Sequence, residues 1–276
     1  MWTGLSYVFL GLCVLSACRP RTAHAELGPP EAASAAASPA ASSPPPPDLL
    51  ALPATDAPPP APVESAAPPK KPRRARRVLV LGDSLSDPKV HGGGYLQPLG
   101  RCPDTRIENY AKGGFMVNQM RRRFEEEVVP LLDSSFTDVV VFGGVNDLYS
   151  DETAGRTVTK ISADLTRIFK GAKARGLRVV ALTVSPWGGF SRYYNERRGL
   201  ATLRLNDWIR EQARAGLVDV VVDTYPLLSC GVKTHLCADY QAPFHDGIHF
   251  GKLGHQKLGA ALLAEAFRDC SPEPNR

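Results

Sequence analysis

Three side chains in this sequence have the types and spacing needed to attack an ester. Ser84 follows the apolar run 78–81, and Asp246 precedes His249 by three residues. A serine hydroxyl attacks an ester only with the help of an adjacent base. A separation of three residues lets an aspartate accept a hydrogen bond from the imidazole and fix its tautomer. These residues therefore predict an acyl-transfer triad of Ser84, His249 and Asp246.

Two segments between the serine and the histidine offer hydrogen-bond donors for a developing oxyanion. Gly114 would let the backbone approach the substrate and aim an N–H group at it, and Gly113 is the neighbouring alternative. The side-chain amide of Asn146 is a second candidate donor, unless this residue only shapes a turn. The adjacent carboxylates of Asp83 and Asp147 are expected to organise loops as hydrogen-bond acceptors rather than to react.

In order along the chain, the blocks around Ser84, Gly114, Asn146 and His249 resemble those of the GDSL/SGNH hydrolases. The first block reads Gly-Asp-Ser-Leu, the second keeps the family spacing Asn-x-x-x-x-Gly, and the last reads Asp-x-x-His. The sequence departs from the family at Phe250, where a proline usually follows the histidine, and we expect this to alter loop shape rather than chemistry. The resemblance implies an ester hydrolase whose oxyanion hole consists of the Ser84 and Gly114 N–H groups and the Asn146 amide.

The segments that must position these blocks alternate between strand-like and helix-like patterns. Runs rich in Val, Ile and Leu predict buried strands at 78–81, 106–109, 138–142, 177–184 and 218–223. Apolar residues at helical spacing predict helices at 117–128, 157–175, 196–215 and 253–267. Such alternation predicts an α/β fold with a parallel sheet. The resemblance covers about 78–270 and implies a flavodoxin-like, three-layer α/β/α sandwich with a five-stranded parallel sheet in the order 2-1-3-4-5.

Ligands of such sheets bind at the carboxyl ends of the strands, where Ser84, Gly114, Asn146 and Trp187 should converge. The side chains that could line the cleft are Lys112, Phe115, Met116, Tyr149, Trp187, Phe190, Tyr193 and Tyr194. We predict that Trp187, Phe115 and Tyr149 bind substrate, with ordinary packing as the alternative.

The first hypothesis for the activity is a serine ester hydrolase, either esterase- or lipase-like or a carbohydrate deacetylase, acting on an acyl ester of the cell envelope. An O-acyltransferase acting on an envelope glycan and a non-catalytic envelope-binding lipoprotein are the alternatives. His255 is expected to lie on a helix surface or to pack.

The N-terminus has the pattern of a lipoprotein signal peptide. Residues 5–17 form an apolar stretch too short to span a membrane, and it leads into Leu-Ser-Ala-Cys18, which resembles a bacterial lipobox. Positions 2–17 hold no Lys or Arg, which departs from the usual signal peptide. We predict a signal peptide over 1–18, lipidation of Cys18, and a membrane partner reached through this anchor. The expected location is the outer membrane facing the periplasm, or the cell surface; an ordinary secretory signal is the alternative.

Residues 19–77 are rich in Pro, Ala and Ser and too poor in large apolar residues to form a core. We predict a disordered tether over 19–77 and a hydrolase domain over 78–276. The tether ends in a basic run, 70–77, which is either a solvated linker end or a patch for anionic lipid or polysaccharide. The formal net charge is +5, but the basic residues of this run lack interleaved aromatics, so nucleic-acid binding is not expected.

The predicted domain holds four cysteines: Cys102, Cys230, Cys237 and Cys270. An even number suits an oxidising compartment, and of three possible pairings we favour the local pair Cys230–Cys237, which leaves Cys102 with Cys270. Two metal sites are alternatives, one from Cys230, His235 and Cys237, the other from His245 and His249. Neither is favoured, and we expect no metal and no cofactor.

Overall fold

The computed structural model describes residues 75–270, so the predicted signal peptide, Cys18 and most of the predicted tether lie outside the described residues. Five strands form one sheet: β1 (Arg76–Gly82), β2 (Thr105–Asn109), β3 (Asp138–Phe142), β4 (Arg178–Leu182) and β5 (Val220–Val222). The strand order is β2-β1-β3-β4-β5, and every neighbouring pair is parallel. The number, direction and order of the strands confirm the predicted topology.

Seven α-helices occur within residues 75–270: α1 (Gln97–Gly100), α2 (Val117–Arg123), α3 (Val145–Tyr149), α4 (Val158–Lys173), α5 (Glu196–Arg214), α6 (Thr224–Leu228) and α7 (Lys252–Ala266). A π-helical turn (Phe124–Val128) and a 3-10 turn (Val129–Leu131) follow α2. Further 3-10 turns lie at Pro88–Val90, Gly94–Leu96 and Ala238–Tyr240. In this part of the chain, no helix has the length and apolar character needed to cross a membrane.

Alternate residues of the central strands face two separate hydrophobic cores. In β3, Val139 and Val141 pack in the core shared with α2, α4 and α5, whereas Val140 and Phe142 pack in the core shared with α1, α6 and α7. Successive side chains of a strand point to opposite faces, so a sheet covered on both faces needs strands that are apolar throughout. All five residues of β3 are buried, and the domain is a three-layer α/β/α sandwich.

The first strand begins earlier than predicted. Arg76 and Arg77, which the sequence assigned to the tether, belong to β1. Arg77 Nε lies 2.6 Å from Glu108 Oε1, and the Arg77 guanidinium carbon lies 3.9 Å from the centroid of the Phe136 ring. These contacts hold the amino end of β1, which lies between β2 and β3, and they correct the predicted end of the tether at residue 77.

Both favoured disulfides are present. Cys230 bonds to Cys237 seven residues away, and Cys102 bonds to Cys270 across 168 residues. The longer link restricts the unfolded chain more, and the loop-entropy relation gives it about 5 kcal/mol of stabilisation. Since Cys230 and Cys237 are bonded to each other, their thiolates are not available to a metal. The alternative of a metal site that includes His235 is therefore wrong.

Candidate active site

The imidazole of His249 bridges Ser84 and Asp246 at the carboxyl end of the sheet. Ser84 lies in the turn after β1, and His249 lies in the loop before α7. His249 Nε2 is 2.9 Å from Ser84 Oγ, and His249 Nδ1 is 2.6 Å from Asp246 Oδ2. Both ring nitrogens therefore have partners, and neither is free for a metal. This contradicts the alternative in which His245 and His249 bind a metal together.

The loop around Asp246 holds its carboxylate ionised. Asp246 Oδ1 accepts hydrogen bonds from the backbone N–H groups of Ile248 (2.9 Å) and His249 (2.8 Å). Burial favours a higher pKa for Asp246, but the hydrogen bonds from His249 and Ile248 outweigh it and lower the pKa. An ionised Asp246 keeps the proton of His249 on Nδ1, which leaves Nε2 free to accept a proton from Ser84.

Gly247 allows the loop that carries Asp246 and His249 to turn tightly. Its φ is +78°, and a Cβ on this residue would lie 2.1 Å from a backbone carbon of the neighbouring loop. Only glycine avoids both the left-handed strain and the clash. A side chain at position 247 would therefore displace the loop that carries Asp246 and His249.

Gly114 and Asn146 face the same cleft as the serine and the histidine. Gly114 has a φ of +79°, with no atom within 4 Å of where a Cβ would stand, so its backbone is open to a ligand. Asn146 is 4% exposed, and its Nδ2 donates one hydrogen to the Phe115 carbonyl oxygen at 2.8 Å. A side-chain amide carries two hydrogens on this nitrogen, so one is left for a substrate. The bond to Phe115 also ties Asn146 to the loop that carries Gly114.

The buried carboxylate of Asp147 links α3 to the start of α2 and to the segment before α4. Asp147 Oδ2 accepts the Val117 N–H (2.8 Å), and Asp147 Oδ1 lies 2.6 Å from Arg156 Nε. Arg156 also contacts Asp164 through Nη2 at 2.7 Å. Burial of Asp147 outweighs these bonds and leaves its pKa raised. Asp147 thus organises the backbone next to Asn146, as predicted.

Asp83, which precedes Ser84, is wholly buried. Its Oδ1 accepts the Leu85 N–H at 3.0 Å, whereas its Oδ2 has no hydrogen-bond partner among residues 75–270. Burial raises the pKa of Asp83 to about 7, with the nearby Asp147 adding to the rise and the Leu85 N–H opposing it. The carboxyl group therefore shapes the turn that presents Ser84.

The cleft beside Ser84, His249 and Asp246 has a volume of about 330 Å³, within the range of small-molecule sites. Its lining consists of Ser84, Val90, Gly113, Gly114, Asn146, Tyr149, Phe190, Asp246, Ile248 and His249. Tyr149 and Phe190 line the cleft, and both were among the lining residues that the sequence predicted. The sequence carried no signal for Val90 or Ile248, because single apolar residues in loops show neither periodicity nor reactive chemistry.

Trp187 does not bind at this cleft, and that prediction is wrong. Its ring is wholly buried, and its Nε1 donates to Thr202 Oγ1 at 2.9 Å. A large aromatic ring contributes most where its whole surface is buried and its N–H has a partner. Phe115 is not among the lining residues either. It contributes its carbonyl oxygen to the site by accepting the hydrogen bond from Asn146.

Comparison with known proteins agrees with this architecture. The family model of the GDSL-like Lipase/Acylhydrolase family matches residues 80–257, which is more than half of the chain. A search of curated protein sequences finds no significant match.

Three examples illustrate the solved structures that share this fold. A GDSL-like lipase from Bacteroides thetaiotaomicron is 22% identical, with a TM-score of 0.58 over 69% of this chain and 87% of that one. A lipase/acylhydrolase from Enterococcus faecalis is 20% identical, with a TM-score of 0.55 over 72% and 100%. An acetyl xylan esterase from Geobacillus stearothermophilus is 20% identical, with a TM-score of 0.56 over 73% and 97%. The family match shows that the chain belongs to the GDSL-like lipase/acylhydrolase family and is an ester hydrolase of the SGNH type.

Proposed function

We propose that the domain hydrolyses an acyl ester through a covalent acyl-enzyme on Ser84. The observation that carries this proposal is the pair of contacts from His249, 2.9 Å to Ser84 Oγ and 2.6 Å to Asp246 Oδ2. His249 Nε2 takes the hydroxyl proton as Ser84 Oγ attacks the ester carbonyl, and returns it to the leaving alcohol. Water then attacks the acyl-enzyme with the same base and frees Ser84.

The oxyanion of each tetrahedral intermediate would receive hydrogen bonds from the Ser84 and Gly114 N–H groups and from Asn146 Nδ2. The open backbone at Gly114 and the remaining hydrogen of the Asn146 amide support this assignment. Such donors act mainly on the transition state, and removing one costs about 3 kcal/mol.

The proposed substrate is a short acyl ester on a glycan of the cell envelope. One wall of the cleft belongs to an aromatic cluster in which Phe190 lies 5.9 Å from Tyr149 and 4.8 Å from Tyr193, measured between ring centroids. Aromatic faces suit the apolar faces of sugar rings, and a cleft of about 330 Å³ suits a small acyl group better than a long chain. One structurally similar protein is an acetyl xylan esterase.

The proposed location is the cell envelope. The protein would be anchored there by a lipid on Cys18, the residue that follows Leu-Ser-Ala. Two disulfides suit an oxidising compartment. Mass spectrometry of the mature N-terminal peptide tests the anchor, and an unmodified Cys18 would refute it.

A substrate panel tests the activity. The mature protein and its Ser84→Ala variant are assayed with acetyl, butyryl and long-chain aryl esters and with acetylated glycans. We expect turnover of short esters by the wild-type protein only. Equal rates for the two proteins would refute the role of Ser84, and a preference for long chains would refute the substrate class. Product analysis with added oligosaccharide separates hydrolysis from transfer to a glycan acceptor.

A further inference from the structure

A second crevice adjoins the catalytic cleft on the side of the glycine loop. It has a volume of about 360 Å³ and shares Val90 and Gly113 with the cleft. The other lining residues are Asp87, Lys89, Ala111, Lys112 and Arg123. Val90 and Gly113 pack against each other at the boundary between the two spaces, so a substrate whose ester lies at Ser84 must pass over this pair to reach the crevice.

Three cations line this crevice, and two of them have no acidic partner. Within residues 75–270, neither Lys89 nor Lys112 forms an ion pair, and both side chains belong to exposed residues. Arg123 Nε contacts Glu127 at 2.9 Å, and the Glu127 side chain is 58% exposed. Lys112 Nζ and Arg123 Cζ lie 5.3 Å and 5.5 Å from the centroid of the same Phe115 ring. Two positive groups therefore share one aromatic neighbour.

The single carboxylate in the wall does not neutralise these cations by direct contact. Asp87 is 5% exposed, and its two oxygens accept backbone N–H groups, Oδ1 from Lys89 and Oδ2 from Gly113, each at 2.9 Å. Asp87 thus fixes the backbone that carries Lys89 to the loop that carries Gly113. A crevice lined by like charges attracts ions of the opposite sign and raises their local concentration.

We propose that this crevice binds an anionic oxygen group, a carboxylate or a phosphate, on the alcohol portion of the ester substrate. The inference rests on the proposed esterase function and specifies its substrate class as esters of acidic sugars. Lys89, Lys112 and Arg123 hold the anionic group, and the scissile ester lies in the adjoining cleft. Each lysine acts as a mobile point charge, so the crevice accepts both carboxylates and phosphates.

Three matched esters test the proposal: acetylated methyl glucoside, the corresponding acetylated glucuronide and the corresponding 6-phosphate. We expect wild-type kcat/KM to be higher for at least one anionic ester than for the neutral one, and the preference to fall with added salt. Lys89→Met with Lys112→Met should reduce kcat/KM for the anionic ester about tenfold and leave the neutral ester within about twofold. The control is Lys170→Met, because Lys170 lies in the last turn of α4, at the opposite end of the sheet. It should change neither rate.

A binding measurement without turnover separates this inference from the esterase function. Methyl glucuronide and methyl glucose 6-phosphate carry the charge but no ester, and ligand-observed NMR with wild-type and doubly substituted protein compares their binding. Weaker binding of either compound to the double variant supports the crevice even if none of the esters is hydrolysed. If the wild-type and doubly substituted proteins bind each compound equally, or if the wild-type protein hydrolyses the neutral and anionic esters at equal, measurable rates, the inference is overturned and the esterase function is left intact.

Discussion

Removing the guanidinium of Arg156 would leave the carboxylate of Asp147 without its cation next to the proposed oxyanion hole. The Asp147 side chain is 0% exposed and that of Arg156 is 8% exposed, with 2.6 Å between them. Breaking such a buried pair on one side costs about 3–5 kcal/mol. We expect Arg156→Met to lower the free energy of unfolding by about 3 kcal/mol. The lower end applies because Val117 still donates to Asp147, and because the carboxyl, whose pKa is already raised, can take up a proton.

Urea unfolding of a double-mutant cycle measures this coupling. The variants are Arg156→Met, Asp147→Asn and the two together, and we expect the double variant to be at least about 1 kcal/mol more stable than the sum of the single effects predicts. The control is Arg197→Met. Because the Arg197 side chain is 58% exposed, this substitution should lower the free energy of unfolding by no more than about 1 kcal/mol. We also expect kcat of Arg156→Met to fall, because Asp147 holds the Val117 N–H, two residues after the Phe115 carbonyl that accepts the hydrogen bond from Asn146. Additive single effects would refute the reasoning.

Two further predictions concern the oxyanion hole and the response to acid. Asn146→Ala should lower kcat about 100-fold and leave KM nearly unchanged. If KM rises instead and kcat does not change, Asn146 does not donate to the oxyanion. Burial lowers the pKa of His255 to about 4 from an ordinary value of 6.5, so between these pH values the unfolded chain binds a proton that the folded chain excludes. As pH falls from 6.5 to 4, the free energy of unfolding of the wild-type protein should decrease by about 3 kcal/mol more than that of the His255→Gln variant. Asp83, with its raised pKa, acts oppositely, but it contributes equally to both proteins and cancels in the difference. Parallel stability curves for the two proteins would contradict this.

The sheet was predictable because its strands carry a strong local signal. The predicted strand 138–142 coincides with β3, where every residue is buried. The loop residues of the site were predictable only through the order and spacing of polar residues after strands. That signal shows which residues follow a strand, but it does not show in which direction each side chain points. For this reason it led to Ser84, Gly114 and Asn146 but was wrong for Trp187, which is buried, whereas His249 was predicted from its spacing to Asp246.

Other features depend on tertiary packing alone. Arg156 stands nine residues after Asp147 in a polar stretch, and nothing in its local sequence indicates that it is buried against this carboxylate. The start of β1 was placed two residues late because Arg76 and Arg77 look like linker residues. Their partners, Asp269 and Glu108, are distant in sequence. Long-range ion pairs of this kind produce no periodic pattern in the sequence from which they could be predicted.

The most direct test of the account is covalent labelling of the mature protein with a fluorophosphonate, followed by mass spectrometry of the labelled peptide. We predict a single adduct on Ser84, none on the Ser84→Ala variant, and labelling of His249→Ala slower by about a thousandfold because the hydroxyl has lost its base. An adduct on another residue, or equal labelling rates for wild-type and His249→Ala protein, would contradict the claim that His249 activates Ser84.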